Sequence, residues 1–307
     1  MDINPEIINL IDSIKNNKTH GASQLARQAA GVLKVTAEHS QTKSASDFLL
    51  ELREIGEKLA EARPAMAPIY TIVNRLLTTI AREGAGMYLE SIRRLAISRA
   101  DDIVQDSLQA VARIARHGSE LITGKDRILT HSYSSTVVAV LKEAFNRYEN
   151  IELIVTRSGS GSTGEQIARE LGLYGLMVTF IDDTAVGFFL PDVNKVMLGA
   201  DRICADGRVI NGVGSYQLAL LSKTAGIPLY ILCDTLKFDP RVASDKVDLE
   251  DGEPHEVVEL ESLPPGVTVK NPHFDITPLD MVTGLITEMG FMTPAEVIDY
   301  INELRTL

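Results

Sequence analysis

Between residues 127 and 238 the chain alternates short, continuously apolar runs with longer runs whose apolar residues recur at helical spacing. The short runs are 127–130, 151–156, 177–181, 195–198 and 229–233, each rich in Ile, Val, Leu or Thr. They are too short for helices and lack strict alternation, so they predict strands covered on both faces. Segments 136–148 and 165–171 predict helices between them. Strand, helix, strand repetition predicts a parallel sheet with right-handed crossovers. Ligands of such sheets bind outside the carboxyl ends of the strands.

Those ends are chemically dense. They carry His131-Ser132-Tyr133-Ser134-Ser135, the loop from Arg157 to Gly164, Asp182-Asp183-Thr184, Gly199-Ala200-Asp201-Arg202 and Asp234-Thr235. Small hydroxyl residues, glycines and carboxylates at helix starts suit an anionic, phosphorylated ligand. Any one of them also serves as an ordinary N-cap.

Before residue 123 the spacing predicts helices over 3–14, 21–38, 46–63, 68–82 and 87–118, with Ser44 or Ser46 as a cap. Arg63-Pro64 stops the third helix, because the residue before proline is pushed out of helical angles. Gly118 is the expected C-terminal cap of the fifth. After residue 238 an acidic loop runs from Asp245 to Glu256 and reads as a solvated excursion. Thr293-Pro294-Ala295-Glu296 is a start signal for a last helix.

Length and composition narrow the function classes. A chain of 307 residues, 45% hydrophobic and 23% charged, suggests about two domains and a soluble protein. A net charge of −12 gives no electrostatic case for direct nucleic-acid binding. Arg93, Arg94, Arg99, Arg113 and Arg116 read as solvated helix faces. The first residues carry no secretory signal and no run is long enough to span a bilayer, which points to a cytoplasmic protein. Cys204 and Cys233 lie far apart and the histidines are scattered, so neither a disulfide framework nor a metal cofactor is expected.

Gly159-x-Gly161-x-x-Gly164 matches the dinucleotide fingerprint, with Asp182 where the ribose-binding acid belongs. Two or three residues separate the strand from the first glycine, however, and an earlier strand and helix precede it. Both features weaken a nicotinamide or flavin reading.

Four motifs then come together: ILTHS-x-S (128–134), DTAVG (183–187), GADRI-x-x-DG-x-VIN-x-VGS (199–215) and FD-x-TP (274–278). With them the chain resembles the alpha, beta and delta regulatory subunits of translation initiation factor 2B and their archaeal homologues. That superfamily also holds methylthioribose-1-phosphate isomerase and ribose-1,5-bisphosphate isomerase. The resemblance implies an α/β protein in which an all-helical domain (1–123) precedes a Rossmann-like parallel-sheet domain (124–307). It also implies a homodimer and contact with initiation factor 2, chiefly its alpha subunit.

Branch assignment turns on single residues. By resemblance, the isomerases carry a catalytic Cys where this chain has Ser132, and their catalytic Asp is retained as Asp201. Their phosphate-contacting Asn-Lys pair is Asn211-Gly212 here, a loop arginine is Gly159, and the Arg before Gly-Ala is His20, while Arg63 remains. Serine lacks an accessible pKa for acid–base work. These departures favour a non-catalytic initiation-factor-2B-like subunit with a residual sugar-phosphate or nucleotide pocket at His20, Gly21, Arg63, Ser132, Asp201 and Asn211. The alternative is an aldose-1-phosphate isomerase in which Asp201 shuttles a proton with Ser132 assisting.

Overall fold

Local capping chemistry sets where the helices start. In the computed structural model, which describes residues 3–17, 19–159 and 163–306, Ser44 accepts the Asp47 N–H at 3.1 Å and opens a helix. Thr293 and Glu296 cap each other reciprocally at the last one, with 2.7 Å from the Thr293 N–H to the carboxylate. The helices are α1 (Pro5–Lys15), α2 (Ala22–His39), α3 (Ala45–Ala62), α4 (Ala67–Glu83), α5 (Leu89–Ser119), α6 (Ser135–Arg147), α7 (Thr163–Tyr174), α8 (Val186–Phe189), α9 (Ser215–Ala225) and α10 (Pro294–Thr306). Two compact units, Met1–Gln109 and Ala110–Leu307, meet in sequence within α5.

The first unit is all helix. Leu25, Leu33, Phe48, Leu52, Leu59, Ile72 and Leu76 are fully buried along the apolar stripes of α2, α3 and α4. Gly56 lets α3 approach α4, since a Cβ there would stand 2.6 Å from Leu77. Arg93 corrects the expectation of a solvated arginine face. It turns inward, pairs with Glu90 and donates to the Ser40 and Thr42 carbonyls at 2.9 and 2.7 Å.

The second unit holds eleven strands among its described residues: β1 (Arg127–Thr130), β2 (Glu152–Thr156), β3 (Met177–Ile181), β4 (Lys195–Leu198), β5 (Arg202–Cys204), β6 (Val209–Gly212), β7 (Leu229–Leu232), β8 (Phe238–Asp239), β9 (Phe274–Thr277), β10 (Gly284–Thr287) and β11 (Gly290–Met292). Seven form one sheet in the order β11-β10-β7-β4-β1-β2-β3, parallel except for β11. Ahead of its antiparallel strand, the apolar stretch 281–286 divides between the end of a 3₁₀ turn, Leu279–Met281, and β10. The other four strands make a smaller sheet, β8-β5-β6-β9, and three of them, β5, β6 and β9, fall in segments that the sequence showed only as motifs. Two- to four-residue strands give too little periodicity to read.

Both faces of the large sheet are buried, one under Leu129, Val196, Ile231 and Leu285, the other under Ile128, Leu153, Met197 and Ile286. Strand β3 departs from expectation. It is an edge strand, and Met177 and Phe180 are exposed. Gly118 also differs: it lies inside α5, where its missing Cβ admits Val140, whose methyls would otherwise be 2.8 Å away. No described helix is long and apolar enough to cross a membrane.

Candidate functional site

From β1 the chain moves one way through β2 and β3, and from the neighbouring β4 it moves the other way through β7 and β10. The crevice beyond the carboxyl ends of β1 and β4 is therefore the topological switch point. Ser132 follows β1, and Gly199-Ala200-Asp201 follows β4. Gly199 lets the two ends close together, because a Cβ there would meet Ser134 at 2.7 Å.

Ser132 is held in the left-handed region, φ 61°, and so is Ser158, φ 67°, after β2. Such backbone is uncommon for serine and is kept only where its surroundings enforce it. Here the Ser132 N–H donates to the Ser158 hydroxyl at 2.6 Å. His131 beside it is buried, and burial lowers its pKa, so the ring is neutral near neutral pH. Its Nε2 lies 2.7 Å from the Val213 carbonyl, which only accepts, so Nε2 carries the proton. Nδ1 then accepts from Thr156 at 2.6 Å.

Asp183 closes the next strand end. Its two carboxylate oxygens accept the Ser158 and Gly159 N–H groups at 2.9 and 2.8 Å. A dinucleotide pyrophosphate would need those amides, and a carboxylate already occupies them. Asp182, the expected ribose acid, instead accepts from Thr184 in its own turn, and Arg157 faces Asp182 at the surface. Gly161 of the fingerprint lies outside the described residues. The occupied amides remove the support for a dinucleotide site.

The small sheet brings the remaining groups. The Asp201 N–H donates to the Ile210 carbonyl, placing it beside Asn211 on β6, and Asn211 pairs with Asp275 on β9. Asn211 is buried and donates through Nδ2 to Ser215, whose hydroxyl donates to the Gly212 carbonyl. Gly212 presses on Ser132; a Cβ there would come within 2.8 Å of its hydroxyl. Asp275 accepts the Gly214 and Tyr216 N–H groups at the start of α9, at 2.7 and 3.1 Å. Arg202 of the same motif is buried in an ion pair with Asp239, which also binds Arg241, so it serves the packing of β5 on β8.

Lys237 was not anticipated. It closes the 3₁₀ turn after β7, is 4% exposed, and its ammonium has no hydrogen bond or ion pair among the described residues. A buried cation that no anion touches directly is costly, and the carboxylates of Asp234 and Glu288 share with Lys237 the surroundings of Cys233. Cys233 nearby is wholly buried and burial pushes its thiol far up, which excludes it as a thiolate at neutral pH.

Ser132, Asp201 and Asn211 thus come together in the second unit. His20, Gly21 and Arg63 come together in the first: Arg63 donates to the Asn17 carbonyl at 2.6 Å, and the Asn17 side chain accepts the His20 N–H at 2.8 Å. Gly21 caps α2. Sequence reasoning missed the positioning work of His131, Ser158, Asp183 and Asp275. His131, Asp183 and Asp275 stand inside quoted motifs, ILTHS-x-S, DTAVG and FD-x-TP, and that was the available signal.

The model of the "Initiation factor 2 subunit family" matches residues 18–294. A ribose 1,5-bisphosphate isomerase from Pyrococcus furiosus is 34% identical, covering 97% of this chain and 94% of that protein. The translation initiation factor eIF-2B structure from Pyrococcus horikoshii OT3 is 30% identical with a TM-score of 0.83, covering 96% of this chain and all of that one. The 5-methylthioribose 1-phosphate isomerase of the same organism is 27% identical with a TM-score of 0.81, covering 97% and 88%. The α/β fold with a helical first part agrees with these neighbours. The expectation of a non-catalytic regulatory subunit is overturned. Ribose 1,5-bisphosphate isomerases from four further organisms match at 30–32% identity over nearly the whole chain. Relatives with initiation-factor names match at 30–32%. The Ser132 and Gly212 departures had been given too much weight against likeness spread over the whole length.

Proposed function

The chain belongs to the initiation factor 2 subunit family, and within it we propose a sugar-phosphate aldose–ketose isomerase of the kind that acts on ribose 1,5-bisphosphate. The observation that carries this reading is full-length likeness to isomerases of that name, with an aspartate, Asp201, kept at the switch-point crevice. In the reaction the bond from C1 to the ring oxygen breaks as that oxygen takes a proton. The hydrogen on C2 passes to C1, and the C2 hydroxyl releases its proton to become the carbonyl, which balances the proton taken by the ring oxygen. A single carboxyl group that both donates and accepts suits these transfers. Asp201 takes that role, and Ser132 supplies a hydrogen bond to the sugar oxygens. Asn211 orients the substrate.

Lys237 is the cation for a substrate phosphate, since an anion would neutralise a buried ammonium otherwise unpaired among the described residues. Within the first unit, Arg63 with His20 and Gly21 forms a second candidate phosphate cluster, a buried guanidinium beside a helix start. A homodimer is part of the reading. Exposed Leu173, Met177, Phe180 and Phe188 on the second unit support a covered face there; sedimentation equilibrium decides it, and a monomer at micromolar concentration removes it.

The test of function is a substrate comparison. Ribose 1,5-bisphosphate should give a new ketose signal by ¹³C NMR, and methylthioribose 1-phosphate should give less. A reversed preference would move the assignment to the other isomerase. No turnover of either would remove the isomerase reading.

A further inference from the structure

We propose that Asp275 is a positioning residue for this isomerase site: by holding the Gly214 and Tyr216 amides it fixes the Val213-Gly214 turn, and with it the end of β6 that presents Asn211 and Gly212 to Ser132 and Asp201. The kinetic part rests on the isomerase reading; the structural part does not.

Three observations carry it. Asp275 lies directly across from Asn211 in the β6–β9 ladder, so the row Asp201, Asn211, Asp275 runs from the residue before β5 across the crevice end of β6 to the start of β9. Cross-strand neighbours stand about 5 Å apart, close enough for a displacement of one to reach the next. Oδ2 of Asp275 accepts both amides, while Oδ1 is buried with no hydrogen-bond partner. A carboxylate left half-satisfied costs stability and persists where holding the backbone compensates. The amide of Gly214 belongs to the same peptide whose carbonyl receives His131, so the turn is fixed from both sheets.

Protonation is the natural way to loosen this grip. Burial pushes the Asp275 carboxyl up to about 6. Burial is what raises it, and the Tyr216 and Gly214 amides oppose the rise. The ionisable residues nearest along the chain and across the shared peptide are Tyr216, whose amide it holds, His131, which binds the Val213 carbonyl, and His273 just before β9, which turns to Glu256. Strand β6 contributes none. A proton on Oδ1 leaves Oδ2 a weaker acceptor for two N–H groups, and the turn relaxes.

The test follows the turn and the reaction together, in the full-length wild type, Asp275→Asn and Asp275→Ala. The amide ¹H–¹⁵N shifts of Gly214 and Gly212 are recorded from about pH 4.5 to 8. In the wild type both should move with one midpoint near 6, and in Asp275→Asn, which keeps an acceptor oxygen but cannot ionise, the step should vanish. A Gly212 amide indifferent to that midpoint would overturn the proposal, whatever the activity. For turnover, Asp275→Asn should lose the acid limb and hold a kcat near the wild type's low-pH value at every pH, whereas Asp275→Ala should lose on the order of tenfold to a hundredfold in kcat with little change in KM. An unchanged acid limb in Asp275→Asn would also overturn it. If Asp275→Ala does not fold, the Asn variant and the amide shifts decide. A wild type without turnover would remove the isomerase reading and leave the amide shifts to judge Asp275.

Discussion

His131 and Asp275 hold opposite sides of one peptide. The His131 Nε2–H donates to the Val213 carbonyl at 2.7 Å, and Asp275 accepts the Gly214 N–H of the same unit at 2.7 Å. One residue follows β1, the neighbour of the middle strand of the large sheet, and the other stands on the edge strand of the small one. The peptide between them joins the two sheets at the crevice. Asn211 and Gly212 lie just before it, and α9 begins just after.

Gly214 is the residue that makes the double grip possible. It has φ 107°, and a Cβ there would stand 2.6 Å from the His131 ring. Gly214→Ala should therefore lose about 2–4 kcal/mol in urea unfolding, from backbone strain and overpacking combined. Gly226→Ala, at φ 69° with nothing near its Cβ, is the control and should lose about 1–2 kcal/mol. Equal losses at both positions would contradict the contact with His131.

Lys237→Met exchanges an unpaired buried ammonium for an apolar chain of similar length. Thermal stability should hold or rise, because the burial penalty disappears. KM for ribose 1,5-bisphosphate should rise about tenfold to a hundredfold from one lost charge-assisted contact. A loss of stability with KM unchanged would show that Lys237 serves the fold and not the phosphate.

Asp275 also leaves a mark on stability against pH. Its folded pKa, about 6, lies above the ordinary 3.8, so between those values the folded state holds a proton that the unfolded chain lacks. Stability from this group is therefore greatest below pH 3.8 and falls as pH rises through 6, by at most about 3 kcal/mol. Asp275→Asn should remove that contribution, which the difference between wild-type and variant urea midpoints from pH 4 to about 7.5 would reveal. Parallel pH curves for the two proteins would contradict a raised carboxyl.

Much of this was readable beforehand, for reasons particular residues make plain. The parallel strands showed because Leu129, Ile154, Val196 and Ile231 sit in a sheet buried on both faces, which writes continuous apolar runs. The second sheet did not, since β5, β6 and β9 have three or four residues each and look like motif text. Ser132 and Asp201 were singled out as strand-end groups and Asn211 through the resemblance, and the structure sets the three near one another, but His131 and Asp275 act through the backbone, and sequence does not record which peptide a side chain will hold. Lys237 was hidden for another reason: a lysine is presumed exposed until burial is known. The function was misjudged because the loss of a cysteine and a lysine was read as the loss of chemistry.

The most direct test of the account is ketose formation from ribose 1,5-bisphosphate by wild type and Asp201→Asn, followed by ¹³C NMR with the melting temperature of each recorded. The account predicts turnover by the wild type despite Ser132, and a loss of about a hundredfold or more in Asp201→Asn at nearly unchanged melting temperature. A folded wild type that forms no ketose, or an Asp201→Asn variant that forms it at the wild-type rate, would contradict it.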